Sequence, residues 1–258
     1  MPLVSVIIAC HNAEKYIDEC LEALVNQTYN KIEIVICDDA STDNSYAILE
    51  SWSRKDKRVR LIRNEQNLFA AVSRNRCFEV ANGVFYMIQD IDDISTLNRV
   101  ETLLSVFKSE NIDFVSSAAR CFNNDISQLG NVISHKTYPQ KKDFLWGISF
   151  MHPATMFKRE CVIDVCGYRV STDTRRCQDY DLFMRLYAKG YKGKNISDVL
   201  YLYRQDDDAK KRGGNLISTR CEYKVRKYGY KILSIPFPVS FIFSLKPWIG
   251  YFYYKVMG

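Results

Sequence analysis

A chain of 258 residues with 47% hydrophobic and 26% charged side chains has enough apolar material for one large α/β domain or two small ones. Its nine cysteines form no CxxC pair and no signal peptide precedes Val4, which favours reduced thiols in a cytosolic protein and argues against a zinc site. No run of eighteen apolar residues occurs, so a conventional membrane-spanning helix is not indicated.

The first half of the chain alternates apolar strands with amphipathic helices. The pattern predicts strands at residues 3–9, 32–37, 59–62 and 84–88, with helices between them. Asn12 is the predicted N-cap of the first helix. This βαβαβαβ order predicts an α/β fold with a mostly parallel central sheet and helices on both faces.

Ligands of such sheets bind beyond the carboxyl ends of the strands. That rule places the side chains that follow the predicted strands on one rim: Cys10, His11, Asn12, Asp38, Asp39, Asp90, Asp92 and Asp93. Asp38 and Asp39 can accept hydrogen bonds from a pyrimidine imide or from ribose hydroxyls, unless one of them only caps the next helix. Arg74 and Arg76 could each bind a diphosphate, or be exposed helical arginines.

Three carboxylates follow the apolar run of residues 84–88, namely Asp90, Asp92 and Asp93. Like charges within four residues repel each other, so a fold that gathers them at a strand end needs a compensating cation. Oxygen ligands without His or Cys favour Mg²⁺ or Mn²⁺, whose usual company is phosphate. The alternative is a solvated acidic turn that caps a helix starting near Ser95. Neither GxGxxG nor GxxxxGKS occurs, so no glycine-rich loop supports phosphate binding.

The second half of the chain carries two further candidates. His152 stands inside an apolar run, where a lone histidine is more often a core or turn residue than a site residue. Residues 176–187 predict a helix with one buried face and with Asp179 in its first turn. The helix dipole should lower the pKa of Asp179 and keep it ionised as a base, although a carboxylate there would suit the dipole without any catalytic role.

The C-terminal segment combines a basic cluster with an aromatic sequence that Pro236, Pro238 and Pro247 interrupt, which argues against one straight helix. Aromatic residues beside cations suit the interface of an anionic bilayer, with Trp248 and residues 251–254 at headgroup depth. The alternative is a tail that packs onto the catalytic domain or onto a second subunit in a homodimer. The basic cluster includes Lys210, Lys211, Arg212, Arg220, Lys224, Arg226, Lys227 and Lys231.

Six stretches in order resemble the family 2 glycosyltransferases with the GT-A fold, over about residues 3–204: VSVIIACHNAEKYIDECLEALVNQTY, IEIVICDDASTDNS, NEQNLFAAVSRN, ANGVFYMIQDIDD, HPATMFKRECVIDVCGY and QDYDLFMRL. The resemblance implies an inverting enzyme that uses nucleotide-sugars, commonly UDP-sugars. It also implies that Asp39 binds the nucleotide base and that Asp179 is the general base. This chain departs from the family at Gln178, where relatives usually carry Glu, and at Leu68-Phe69, where they often carry Gly.

The resemblance further implies that the DxD cluster binds the donor ribose and a divalent metal, Mn²⁺ or Mg²⁺. Asp92 and Asp93 are the expected metal ligands. The expected nucleotide and donor-binding residues are Asp39, Asp38, Arg74, Asp90, Asp92, His11 and His152. Residues 1–205 should form the GT-A catalytic domain, with a nucleotide-binding half at 1–110 and an acceptor half at 111–205, followed by an extension at 206–258 that could associate with a membrane.

The expected reaction transfers a sugar to a hydroxyl of a saccharide acceptor, lipid-linked, in cell-surface polysaccharide synthesis. The protein should work in the cytoplasm as a peripheral protein at the inner face of the cell membrane, with no nucleic-acid partner. One alternative is a nucleotidyltransferase acting on sugar phosphates, although the usual glycine-rich, lysine-bearing loop of that class is missing from CHNAEKY. Another is a non-catalytic assembly protein that binds sugar nucleotides.

Overall fold

The computed structural model describes residues 1–123, 126–205 and 216–257, and it describes side chains as far as residue 252. Lys210, Lys211 and Arg212 of the predicted basic cluster therefore lie outside the described residues. The strands are β1 (Val4–Cys10), β2 (Ile32–Asp38), β3 (Val59–Arg63), β4 (Phe85–Ile88), β5 (Ile94–Ser95), β6 (Phe114–Phe122), β7 (Leu129–Ile133), β8 (Thr155–Lys158) and β9 (Gly193–Arg204).

Across the described ranges these nine strands form one sheet in the order β3-β2-β1-β4-β8-β6-β9-β5, with β7 paired to β6. The first four strands pair in parallel, as predicted. Beyond β4 the sheet is mixed, because β8 runs antiparallel to both β4 and β6 while β9 runs parallel to β6. The predicted α/β class is confirmed, and the parallel arrangement belongs to its N-terminal half.

Helices cover both faces of this sheet. They are α1 (Ile17–Val25), α2 (Ser45–Lys55), α3 (Phe69–Val80), α4 (Arg99–Ser109), α5 (Arg159–Asp164), α6 (Gln178–Ala188), α7 (Leu216–Ile232), α8 (Val239–Ser244) and α9 (Lys246–Met257). Side chains alternate across a strand, so β1 contributes to two cores. Val6 and Ile8 pack with α1, α2 and α4, whereas Ile7 packs with α3, α5 and α6.

One local prediction about a helix start is wrong. Asn12 does not cap α1, which begins at Ile17; it has a φ of 51°, and its Oδ1 accepts the N–H of Thr42 at 2.8 Å. Asparagine tolerates this left-handed conformation better than most residues, and here it joins the loops after β1 and β2. Ser95, near the predicted helix start, belongs to β5, and α4 begins at Arg99, directly after Asn98.

The C-terminal extension is a broken helical segment, as its prolines predict. α7 packs against α6 and buries Val225 and Tyr230. Gly229 lies against the thioether of Met184, so even a Cβ at that position would collide with it. The chain then leaves the helix over residues 233–238 before α8 begins. None of the helices in the described ranges is both long and apolar enough to cross a bilayer.

Arg99 is wholly buried and ties α4 to the loop that follows β4. Burial lowers the pKa of Arg99 to about 10, which leaves it protonated at neutral pH. Its guanidinium group also lies 4.7 Å from the ring centroid of Tyr201. It donates to four acceptors: Gln89 Oε1 at 2.8 Å, Ser95 Oγ at 2.9 Å, Ile88 O at 2.9 Å and Pro153 O at 2.8 Å.

Replacing Arg99 with methionine should therefore destabilise the fold. The variant leaves buried carbonyl groups without donors, and we expect a loss of about 3 kcal/mol or more in the free energy of unfolding, measured by urea denaturation. Arg54→Met is the matched control because the Arg54 side chain is 74% exposed. Equal losses in the two variants would contradict a structural role for the buried guanidinium.

Candidate active site

A cleft of about 630 Å³ opens at the carboxyl ends of β1 and β4. The strand order reverses there, because β2 and β3 lie on one side of β1 and β4 on the other. Ligands of open α/β sheets bind at such a switch point. The cleft is lined by Ala9 and residues 11–16 after β1, Asp43 after β2, Ala70 and Arg74 of α3, residues 90–92, and Tyr203 and Arg204 of β9.

The acidic turn, residues 90–93, separates its three carboxylates. Asp90 and Asp92 line the cleft. Asp93 does not, since it is 1% exposed and its Oδ1 accepts the backbone N–H of Arg204 at 2.7 Å. Burial, together with the charges of Asp92 and Asp90, raises the pKa of Asp93 well above its usual range. Asp93, a predicted metal ligand, therefore lies away from the cleft and anchors the turn from inside.

Arg204, the last residue of β9, holds the acidic turn in place. Besides its backbone contact with Asp93, its Nε donates to the carbonyl oxygen of Asp92 at 2.8 Å. Its guanidinium pairs with Glu19 and lies 4.9 Å from the ring centroid of Tyr16. The sequence carries no signal for this role, because Arg204 is 111 positions from Asp93 and only the fold brings them together.

Arg74 connects the acidic turn to the start of α6. It is 7% exposed and lines the cleft, and its Nη2 lies 2.5 Å from Asp90 Oδ1. Burial alone would lower the pKa of Arg74, but the negative charges around it, led by Asp90 and including Asp179, raise it. Arg74 therefore stays cationic, and the charges of both carboxylates stabilise it. The sequence predicts that Arg74 binds a diphosphate. In this structure the guanidinium group of Arg74 pairs with Asp90.

Asp179 lies in the first turn of α6, partly buried, with its Oδ1 accepting the N–H of Tyr180 at 2.8 Å. Burial raises the pKa of Asp179 above its ordinary value, and this effect outweighs the Tyr180 N–H and the charge of Arg74. The predicted lowering by the helix dipole is therefore wrong, because the loss of water around the carboxylate is the larger effect. A carboxylate with a raised pKa is a better general base near neutral pH.

Gln178 has a local reason to differ from the usual glutamate. With its amide nitrogen turned toward the preceding loop, it donates to Thr174 O at 3.2 Å and to Arg175 O at 3.0 Å. A glutamate carboxylate has no proton to donate to these carbonyls. Gln178 thus fixes the loop that leads to Asp179.

His152 lies behind Arg74 rather than in the cleft. It is 6% exposed, and its Nε2 is 2.7 Å from the hydroxyl of Tyr168. Burial, reinforced by the charge of Arg74, lowers the pKa of His152 to about 3, so the ring is neutral. The ring of Tyr168 lies between these groups, with its centroid 5.7 Å from Arg74 Cζ. Direct contact of His152 with a donor in the cleft is therefore not supported.

Asp38 is a second predicted donor-binding residue that the structure places inside. Its side chain is fully buried and does not line the cleft. Its Oδ2 accepts the N–H of Ser41 at 3.3 Å and lies 3.2 Å from Arg63 Nε. This agrees with the alternative that Asp38 organises the turn into the next helix.

Asp39 and His11 join the loops beside the cleft, but Asp39 is 2% exposed and does not line it. Asp39 Oδ1 accepts from Asn64 Nδ2 at 2.6 Å and from the N–H of Leu68 at 2.8 Å. His11 is exposed and lines the cleft. Its Nδ1 donates to Asp39 O at 2.8 Å while its Nε2 accepts from Asn67 Nδ2 at 3.0 Å. Asp39 thus fixes the loop before α3.

Backbone strain is concentrated around this rim. Asn12, Ala40 and Phe69 have φ angles of 51°, 55° and 68°, a region that glycine adopts more easily. Phe69 is one of the two positions where the family resemblance leads us to expect glycine, and its positive φ fits that expectation. Its ring is 43% exposed, with the guanidinium of Arg175 3.5 Å from its centroid. This contact joins α3 to the loop that precedes Asp179, and sequence reasoning did not find it.

The side chains of the cleft fit a metal that binds together with its substrate. Within the described ranges, no three His, Cys, Asp or Glu residues are grouped as a metal site. Two carboxylates, Asp90 and Asp92, line the cleft. Mg²⁺ typically takes one or two protein carboxylates and completes its shell with water and phosphate oxygens. The donor set therefore suits a divalent cation carried by a diphosphate rather than one held by the protein alone.

The strand order, the switch-point cleft and the acidic turn define an α/β protein with a ligand cleft at the carboxyl ends of its strands. A model of glycosyl transferase family 2 matches residues 5–165, more than half of the chain. The chain belongs to this family. The glycosyltransferase GlyG of Streptococcus pneumoniae is 32% identical over 84% of this chain and 73% of its own length. The Escherichia coli UDP-Glc:alpha-D-GlcNAc-diphosphoundecaprenol beta-1,3-glucosyltransferase WfaP is 29% identical over 79% of this chain and 78% of its own.

Solved structures show the same fold. Residues 1–349 of S. aureus TarS in complex with UDP-GlcNAc match with a TM-score of 0.74 and 18% identity, over 98% of this chain and 73% of that one. The mannosyltransferase PcManGT from Pyrobaculum calidifontis, in complex with GDP-Man and Mn²⁺, matches with a TM-score of 0.60 and 16% identity, over 100% of this chain and 76% of that one. The predicted GT-A fold is thereby confirmed.

Asp179→Asn should stabilise the protein at neutral pH. Because burial raises the pKa of Asp179 in the folded state, the unfolded chain loses that proton first, and stability falls as pH rises between the two pKa values. Thermal unfolding across a pH series should show the variant melting above the unchanged protein at neutral pH, with the difference vanishing below the ordinary carboxyl pKa.

Asp43→Asn is the control of opposite sign. Burial would raise the pKa of Asp43, but hydrogen bonds from Ser45 outweigh burial and lower it. This variant should therefore melt lower at neutral pH, with the deficit vanishing in acid. Stabilisation by both variants, or by neither, would contradict the assigned pKa shifts.

Proposed function

We propose that this protein is an inverting glycosyltransferase that moves a sugar from a nucleotide-sugar, commonly a UDP-sugar, to a hydroxyl of a saccharide acceptor. The observation that supports this most directly is the position of Arg74. Its guanidinium pairs with Asp90 of the acidic turn and interacts with the charge of Asp179. Asp90 lines the cleft and Asp179 does not, but the negative charges of both act on this one buried cation.

Asp39 and His11 are the residues we assign to the nucleoside. Asp39 can accept from an imide N–H of the base, and its fixed position beside Leu68 supports this role. His11 lines the cleft next to it and is held by Asp39 O and Asn67. Asp38 and His152 lie behind the cleft wall, where Asp38 accepts the N–H of Ser41 and His152 contacts the hydroxyl of Tyr168.

Asp92 and Asp90 are the residues we assign to the metal. Mn²⁺ or Mg²⁺ bound there with the donor would neutralise the charge that develops on the leaving nucleoside diphosphate. The Mn²⁺ in the name of the PcManGT complex supports this choice of ion. Arg74 adds a fixed positive charge on the same side of the cleft.

Asp179 is the general base of the proposed reaction. It takes the proton from the acceptor hydroxyl as the hydroxyl oxygen forms its bond to the anomeric carbon and the bond from that carbon to the diphosphate oxygen breaks. Attack opposite the leaving group inverts the anomeric centre, and no covalent sugar–enzyme intermediate is needed. The raised pKa of Asp179 supports this role, because the carboxylate can hold a proton more readily than an exposed aspartate.

The acceptor we propose is a lipid-linked saccharide used in cell-surface polysaccharide synthesis. The name of WfaP, which specifies a diphosphoundecaprenol-linked acceptor, supports this class. A lipid-linked acceptor would place the protein at the cytoplasmic face of the cell membrane, as a peripheral protein.

A panel of sugar nucleotides incubated with Mn²⁺ tests the reaction class. Release of nucleoside diphosphate with one donor is expected. Release of pyrophosphate would indicate a nucleotidyltransferase, and release of neither product would indicate a non-catalytic binding protein. With the active donor and an acceptor, Asp179→Asn should lower transfer about 100-fold or more while leaving donor binding intact. Full transfer by this variant would remove Asp179 from its assigned role.

Asp92→Asn and Asp93→Asn should behave differently although the residues are adjacent. Asp92 lines the cleft, so its variant should weaken Mn²⁺-dependent donor binding at least about tenfold. Asn at position 93 can still accept the N–H of Arg204, so its donor affinity should stay near that of the unchanged protein. Calorimetric titration with and without Mn²⁺ measures both. A larger loss at position 93 would reverse the assignment.

A further inference from the structure

An exposed apolar surface covers the C-terminal extension, and none of its residues lines the cleft. We call it the tail surface. Its members are large hydrophobic side chains of α8, α9 and the segment before α8: Phe237, Phe241, Ile242, Ile249 and Phe252, which are 79%, 52%, 59%, 69% and 57% exposed. Apolar side chains gathered at such exposure on a soluble domain mark an interaction site.

A groove of about 390 Å³ borders the tail surface between α7 and α8. Lys227 and Lys231 stand one helical turn apart on its α7 side, while Phe237 and Phe241 form its apolar side, with ring centroids 6.1 Å apart. Both lysines are exposed, and neither has an ion pair among the described residues. The groove therefore combines two available cations with an aromatic wall.

The charge of the extension selects among partners. Between residues 216 and 258 the sequence has seven basic residues and one acidic residue, Glu222, which already pairs with Arg226. A second copy of the chain would bring like charges together and could offer no free carboxylate from this region. An anionic bilayer offers phosphate groups that can bind the lysines and an apolar interior that can receive the rings.

Trp146 extends the same chemistry onto the catalytic domain. It is 69% exposed and packs edge-on against Phe243 of α8, with ring centroids 5.1 Å apart. Lys246 donates to its carbonyl oxygen at 2.9 Å. Aromatic side chains with neighbouring lysines are typical of the headgroup region of a membrane. Because α7 is anchored on α6, this surface has a fixed relation to the catalytic domain.

We propose that the tail surface docks on an anionic phospholipid bilayer. A lipid phosphate binds in the groove between Lys227 and Lys231, and Phe237 and Phe241 enter the interface beside it. The proposal goes beyond the glycosyl transfer reaction, because it concerns a different surface and holds for any donor sugar.

Vesicle flotation with the full chain tests the charges. The unchanged protein should bind vesicles that contain phosphatidylglycerol and should be released from them by high salt, but it should bind phosphatidylcholine vesicles only weakly. Lys227→Gln with Lys231→Gln should weaken binding to the anionic vesicles about 30-fold. Lys31→Gln with Lys57→Gln is the matched control, because both lysines are exposed and lie before β2 and β3. Equal binding to both vesicle types, or equal losses in both double variants, would overturn the proposal.

A second pair of variants tests the rings. Phe237→Ser with Phe241→Ser should lower vesicle binding at least about tenfold. Val84→Ser with Leu97→Ser, which alters side chains that are 53% and 55% exposed elsewhere, should leave it unchanged. If the phenylalanine variant instead converts a dimer into a monomer and vesicles never bind, the surface is a subunit interface and the proposal is wrong.

Donor cleavage separates this inference from the proposed function. Both tail variants should release nucleoside diphosphate from the active donor at the unchanged rate. A chain that binds anionic vesicles but cleaves no donor would leave the tail surface standing and remove the transferase. A chain that cleaves the donor but does not bind vesicles would support the transferase and overturn the membrane-docking proposal.

Discussion

The confinement of three aspartates to one turn is the constraint on which the rest of the site depends. The fold resolves their repulsion by giving each carboxylate a different environment. Asp90 pairs with the buried Arg74, Asp93 turns inward to the backbone N–H of Arg204, and Asp92 remains at the cleft. Only the carboxylates at the cleft can meet a cation that arrives with a substrate.

Two buried arginines keep this turn in place from opposite directions. Arg99 bonds the carbonyl of Ile88 at the end of β4 and the side chain of Gln89, whose amide in turn donates to the carbonyls of Asp90 and Asp93. Arg204 bonds the carbonyl of Asp92 from β9. A rigid frame of this kind holds carboxylates at fixed positions before any ligand binds, which is what a preorganised site requires.

Burial also distinguishes between Asp90 and Asp179, the two carboxylates whose charges act on Arg74. The helix dipole does not keep the pKa of Asp179 low, because burial of the carboxylate raises the pKa by more than the favourable contacts at the start of α6 lower it. The result is one carboxylate that is paired with a cation and another that can accept a proton. The C-terminal extension has a packed part and an exposed part. α7 packs against α6, while α8 and α9 carry exposed apolar rings.

The sequence by itself determined the order of strands and helices, the acidic turn and the position of Asp179 in a helix, because these follow from local periodicity and charge spacing. It did not determine which side chains face the cleft. Asp38, Asp39, Asp93 and His152 carry the same chemistry as Asp90, Asp92 and His11, which line the cleft, yet all four are buried. Burial depends on which elements pack together in the folded chain. The carboxylate of Asp93, for example, accepts the backbone N–H of Arg204, which lies 111 positions away in the sequence. Tertiary structure alone therefore decided which acids are exposed, which are anchored and which are held with a raised pKa.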